Sequence, residues 1–97
     1  MNESFNNRII IGRLKDDPRR ITRNDKDCLK FIVCNSLTDQ TVNEYDVFAF
    51  GKQAYICERY LHKGDLCCVE GSVRKSELNG MFPYIVSEKV TFLTNRR

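Results

Sequence analysis

The stretch EYDVFAFGKQAYICERYLHKGDLCCVEGSVRK, residues 44–75, decides the architecture. Its first part, EYDVFAFG, alternates like a strand, with Val47 and Ala49 on one face and Phe48 and Phe50 on the other. KQAYICERYLHKG (52–64) changes period. Ala54, Cys57 and Leu61 fall at i, i+3 and i+7, and Ile56 and Tyr60 widen the stripe, which predicts a helix. His62 and Lys63 would stand in its last turn, where cations suit the negative end of the dipole, with Gly64 as the cap. DLCCVEGSVRKSE (65–77) returns to strand, and Gly71 marks a candidate bend.

Upstream, NNRIIIGRL (6–14) reads as a strand with a bend at Gly12, after a loose lead-in over residues 1–6. DDPRRITRNDKD (16–27) is a polar connection with room for a short strand near Arg20 to Thr22. CLKFIVCN (28–35) alternates, with Leu29, Phe31 and Val33 on one side and Lys30, Ile32 and Cys34 on the other. SLTDQTVNE (36–44) reads as a hairpin loop. Downstream, Asn79-Gly80 is a strong two-residue turn signal, and FPYIVSEKVTFL (82–93) closes the set. Five mostly antiparallel strands with one helix between the third and fourth is the order of an OB-fold, an all-β Greek-key barrel. Its strand 2 and 3 face and flanking loops bind oligonucleotides or oligosaccharides.

The 97 residues fit a single domain with one modest core. No apolar run approaches the ~20 residues of a membrane span, and MNESFNNR lacks the pattern of a signal peptide. A cytoplasmic protein that does not enter membranes is the expectation. The five cysteines, Cys28, Cys34, Cys57, Cys67 and Cys68, lie among apolar neighbours at spacings that fit neither CxxC pairs nor a disulfide framework. With His62 as the one histidine, no metal site and no cofactor is expected. Nor is there a nucleophile–base pair or a glycine-rich phosphate loop, so an enzyme is not expected. Asp16 and Asp17 precede Pro18 and suit turn chemistry. The net charge of +3 is a weak signal, since solvated surface explains most lysines and arginines.

The rings of the third strand carry the functional question. Val47 and Ala49 are small enough for a barrel interior, which would leave Phe48 and Phe50 outside as a platform for unpaired bases. The reverse assignment, with both phenylalanines in the core, satisfies the same periodicity. Tyr45 is out of phase with both, and its side stays open. Phe31 and Phe92 are expected to pack inward, Tyr55 and Tyr60 to lie on or beside the helix, and Phe82 and Tyr84 to share one face of the last strand.

Several stretches together resemble bacterial single-stranded DNA-binding proteins: NNRIIIGRLKDDP, YDVFAFGKQA, YLHKGDLCCVEGSVR and EKVTFL, in this order over nearly the whole chain. The resemblance implies sequence-independent single-stranded DNA binding in replication, repair or recombination. It implies a homo-oligomer, a tetramer of OB-folds with a dimer as the alternative, and replication proteins as further partners. It carries Phe50 onto the base-stacking aromatic before Gly-Lys and places Tyr45 near the aromatic that opens the same strand. Lys52, Lys63 and Arg74 fall on basic positions along the DNA path; Arg8, Arg13 and Lys15 occupy the first strand and its exit. With Phe48 and Lys75, these form the predicted site.

The sequence also departs from that pattern. It has no tryptophan, no ring in C-N-S-L of the second strand, and Leu78 after Arg74 where an aromatic is usual. Weaker stacking, a smaller site and heavier reliance on phosphate charge follow. It ends at TNRR rather than in a linker with an acidic tip, so a shortened chain or a plasmid, phage or accessory relative is expected. The alternative function is an accessory replication protein of primosomal or mobile-element type, acting mainly through protein contacts with weak DNA binding. RNA binding stays open, because stacking faces do not test the 2′-hydroxyl.

Overall fold

The computed structural model describes residues 7–23, 25–38, 41–75 and 83–94. The lead-in, Leu78, the Asn79-Gly80 turn, Phe82 and the tail beyond 94 lie outside them. In chain order the elements are β1 (Asn7–Leu14), β2 (Arg19–Arg23), β3 (Lys26–Thr38), β4 (Thr41–Ala49), α1 (Gly51–Tyr60), β5 (Leu66–Lys75) and β6 (Pro83–Phe92). Neighbouring strands follow the order β1-β5-β6-β4-β3-β2. β1 also returns to pair with β3 at Arg13↔Cys34 and Leu14↔Val33. That pairing closes β1, β5, β6, β4 and β3 into the expected five-stranded barrel, and β2 is a sixth strand attached to β3.

Two glycines make the closure possible. A Cβ at Gly12 would overlap the Cys34 carbonyl oxygen, so only glycine lets β1 bend from β5 onto β3. At Gly71 the β5–β6 register shifts, and a side chain there would strike the Val86 carbonyl oxygen.

Alternation fills the interior. Ile10 and Leu14 from β1, Leu29, Phe31 and Val33 from β3, Val47 and Ala49 from β4, Val69 from β5 and Ile85 from β6 form the core. Ala54, Cys57 and Leu61 join it from α1 and its end. Burying a side chain such as Leu29 or Val47 contributes about 1.5–3 kcal/mol. Burial also pushes the thiols of Cys57 and Cys67 up, to about 11 and about 12.

Two boundaries and one ring differ from the sequence reading. The expected loop at 36–44 is mostly strand, because β3 continues to Thr38 and β4 starts at Thr41. Exposed and half-buried polar residues such as Asn35, Asn43 and Ser36 line this ribbon, so no apolar alternation announces it. The helix stops at Tyr60, short of Gly64. Leu61 turns extended (φ −95°, ψ 137°) and is buried, while the Asp65 carboxylate accepts the His62 N–H at 2.9 Å. Arg59 is therefore the last-turn cation, and His62 and Lys63 belong to the turn beyond, where Gly64 adopts φ 88°. Phe92 lies on the inward side of β6, opposite Cys67, but past the last core layer at the barrel mouth. There it stays 37% exposed instead of packing within the core.

Candidate nucleic-acid interface

Strand register assembles the outer surface. β2 places Arg19, Ile21 and Arg23 opposite Lys30, Cys28 and Lys26 of β3. Lys30 in turn faces Phe48 of β4, Phe48 lies beside Val86 of β6, and Tyr84 faces Arg74 of β5. Residues paired in this way share a face, so basic side chains from β2, β3 and β5 surround the rings of β4 and β6. An open cleft of about 310 Å³ runs between them, lined by Arg23, Lys26, Phe48, Phe50, Arg74, Tyr84 and Val86. Among the described residues its lining holds three cations and three rings, and no carboxylate.

The two phenylalanines differ in role. Val47 and Ala49 do point into the barrel, which places Phe48 and Phe50 outside. Phe48 is nevertheless only 5% exposed, which corrects the expectation of two wet rings. Tyr84 meets it edge to face, with centroids 5.3 Å apart and planes at 89°. The Arg23 guanidinium covers both rings, 4.7 Å from the Phe48 centroid and 4.6 Å from that of Tyr84. Such a cation–π contact contributes roughly 0.5–2 kcal/mol, depending on desolvation. Phe48 is the floor of the cleft, the Arg23 guanidinium lies over that floor, and Phe50 is half-buried at its edge.

Charge separates the two ends of the β4 face. Toward its start stand Glu44 and Asp46, opposite Cys34 and Ile32. Glu44 holds Lys15 at 3.1 Å, and this hydrogen bond, with the attraction of opposite charges, raises the lysine pKa. On the other face of β2, Arg20 bonds Glu58 of α1 at 2.7 Å. That hydrogen bond raises the pKa of Arg20 and keeps the Glu58 carboxyl below its usual value.

Of the predicted residues, the structure brings Phe48, Phe50 and Arg74 together in the cleft. Tyr45 is in phase with Val47, packs against the core, and lines a neighbouring cleft of about 380 Å³ with Arg8, Glu44 and Asp46. Arg13 donates to the Gly64 carbonyl oxygen at 3.0 Å, and Lys15 is held by Glu44. Lys52 lies exposed in the first turn of α1, and Lys63 in the turn after it, its backbone N–H bonded to the Asp17 carboxylate at 2.8 Å. Lys75 ends β5 opposite Pro83. Sequence reasoning left Arg23, Lys26, Lys30 and Tyr84 out of the site. A signal for the first of these existed: in RRITR, residues 19–23, a strand reading alone puts Arg19 and Arg23 on one face.

No curated protein sequence matches the chain significantly. Two crystal structures of the mitochondrial single-stranded DNA-binding protein Rim1 from S. cerevisiae, one of them selenomethionine-labelled, superpose with a TM-score of 0.85. They share 22% and 23% sequence identity with this chain, and the alignments cover 100% of each partner. That likeness establishes the OB-fold. The sequence model of the single-strand binding protein family, whose members bind DNA without catalysis, matches residues 5–82. The chain belongs to the single-strand binding protein family.

Proposed function

We propose that this protein captures single-stranded DNA without sequence preference in the cleft around Phe48, during replication, repair or recombination. The observation that carries the reading is a lining of Phe50, Tyr84, Arg23, Lys26 and Arg74 over a Phe48 floor, free of carboxylates among the described residues. Bases stack on Phe50 and on the Arg23 guanidinium, since guanidinium planes as well as rings accept bases. Lys26, Lys30, Arg19 and Arg74 neutralise phosphates on either side. One base–aromatic stack contributes roughly 1–3 kcal/mol and is indifferent to sequence. Labelled oligo-dT titrated by anisotropy over a salt series tests this. Phe50→Ala should bind about tenfold or more weakly, and equal affinity in the variant would refute the reading.

The same reading includes self-association. Ile9 and Ile11 point outward from β1 at 67% and 53% exposure, and exposed Val42 lies with Ile11 along one shallow groove. Among the described residues, Asn7 to Gly12 form strand pairs only with β5; on the other edge the Ile11 carbonyl accepts the Asn35 amide, and no strand is paired there before Arg13. An open edge beside an apolar stripe suits a second copy of this chain. Sedimentation of Ile11→Lys should give a lighter species than wild type; an unchanged mass would count against this interface.

A further inference from the structure

Among the described residues, the rings that water reaches most freely are off the sheet. Tyr55 and Tyr60 of α1 are 58% and 57% exposed. Helical spacing gives α1 two adjacent outer stripes: Gln53, Ile56 and Tyr60 on one, Lys52, Tyr55 and Arg59 on the next. The first stripe follows β6. The Ser87 hydroxyl donates to the Gln53 side-chain oxygen, and the Tyr60 ring lies 6.2 Å from that of Phe92. The second stripe is cationic, with Arg59 above the Tyr60 ring at 5.9 Å. Glu58, the carboxylate of this helix, is engaged by Arg20.

The surface thus sets Ile56, Tyr60 and Phe92, apolar and aromatic, beside the positive charges of Lys52 and Arg59. Those are the two elements that hold an unpaired strand. It starts where the cleft ends, because Phe50 directly precedes α1. The 10 helical residues span about 15 Å, room for about four stacked nucleotides.

We infer that α1 is a second contact for the same single strand, which leaves the cleft at Phe50 and runs along the helix to Tyr60 and Phe92. The inference rests on the function proposed above and extends its site. Bases lie against Ile56, Tyr60 and Phe92, while Lys52 and Arg59 meet phosphates. The cationic border favours nucleic acid over an apolar polypeptide as the occupant.

The test compares labelled oligo-dT of about 6 and about 16 nucleotides, lengths within the range one OB-fold covers. Tyr60→Ala should bind the longer strand about tenfold more weakly and the shorter one as wild type does. Tyr60→Phe, which keeps the ring, should restore the longer strand. Arg59→Ala should lower the salt slope by about 0.7 on the longer strand alone. Unchanged binding of the longer strand by Tyr60→Ala and Arg59→Ala would overturn the inference and give this face to a protein partner. Equal losses on both lengths would overturn it too. Failure of the wild type to bind either strand would instead remove the cleft reading, and this inference with it.

Discussion

Two clusters in this molecule have the same ingredients and opposite surroundings. Phe48, Tyr84 and Arg23 meet on the sheet; Phe92, Tyr60 and Arg59 meet at the barrel mouth. On the sheet the rings stand perpendicular and the guanidinium sits 4.7 and 4.6 Å from their centroids. At the mouth the rings are tilted at 44° and the guanidinium is 5.9 Å from Tyr60. Neighbours explain the contrast. Strands on both sides enclose Phe48, whereas the mouth cluster has the helix on one side and water on the other. A ring's sequence context therefore does not settle its availability. The same residue types build a floor in one place and an open surface in the other.

Truncation should separate the clusters most strongly. Phe48→Ala removes a nearly buried ring and strips the packing from Tyr84 and Arg23, so it should cost about 3–4 kcal/mol by chemical denaturation. Phe92→Ala, at the mouth, should cost about 1 kcal/mol. Similar costs would dissolve the distinction.

The next effect is in pH. Cys57 and Cys67 lie beneath the mouth, their thiols raised by burial to about 11 and about 12. An unfolded chain loses these protons near the ordinary value of about 8.5, and the folded one keeps them. Between roughly pH 9 and 11 the native state holds more protons than the unfolded state. Stability is therefore full below that window and falls as pH rises through it, by up to about 1.4 kcal/mol per pH unit for each thiol. Melting of Cys67→Ala across this range should show a shallower decline than wild type.

Arg23→Ala comes third. It uncovers Phe48 and Tyr84 and removes one cation, so affinity for oligo-dT should drop about tenfold and the salt slope by about 0.7. The smallest effect belongs to the acidic end of β4. Lys15 is already held by Glu44, so Lys15→Ala should change DNA affinity by less than about twofold.

The barrel was legible because its core strands alternate cleanly, as in Leu29, Phe31 and Val33, and because the α1 stripe of Ala54, Cys57 and Leu61 is clear. The paired ends at Asn35 to Ser36 and Thr41 to Asn43 were not, since strands with exposed and half-buried polar residues on their faces carry no period-2 hydrophobic signal. Periodicity left the face of Phe48 and Phe50 open, and the small size of Val47 and Ala49 favoured the outward assignment that the structure shows. The cover over that face was not legible, because Arg23 and Tyr84 arrive from strands far apart in sequence and only register joins them. The surroundings of the basic positions were the least legible. Glu44 holds Lys15, and Arg13 is spent on the Gly64 carbonyl, partners that no local pattern reveals.

Amide chemical shifts of the isotope-labelled protein titrated with oligo-dT test the central claim most directly. The account predicts shifts clustered at Arg23, Lys26, Phe50, Arg74 and Tyr84, with Glu44 and Asp46 silent. Shifts confined to the Glu44 and Asp46 end, with the cleft unmoved, would contradict it.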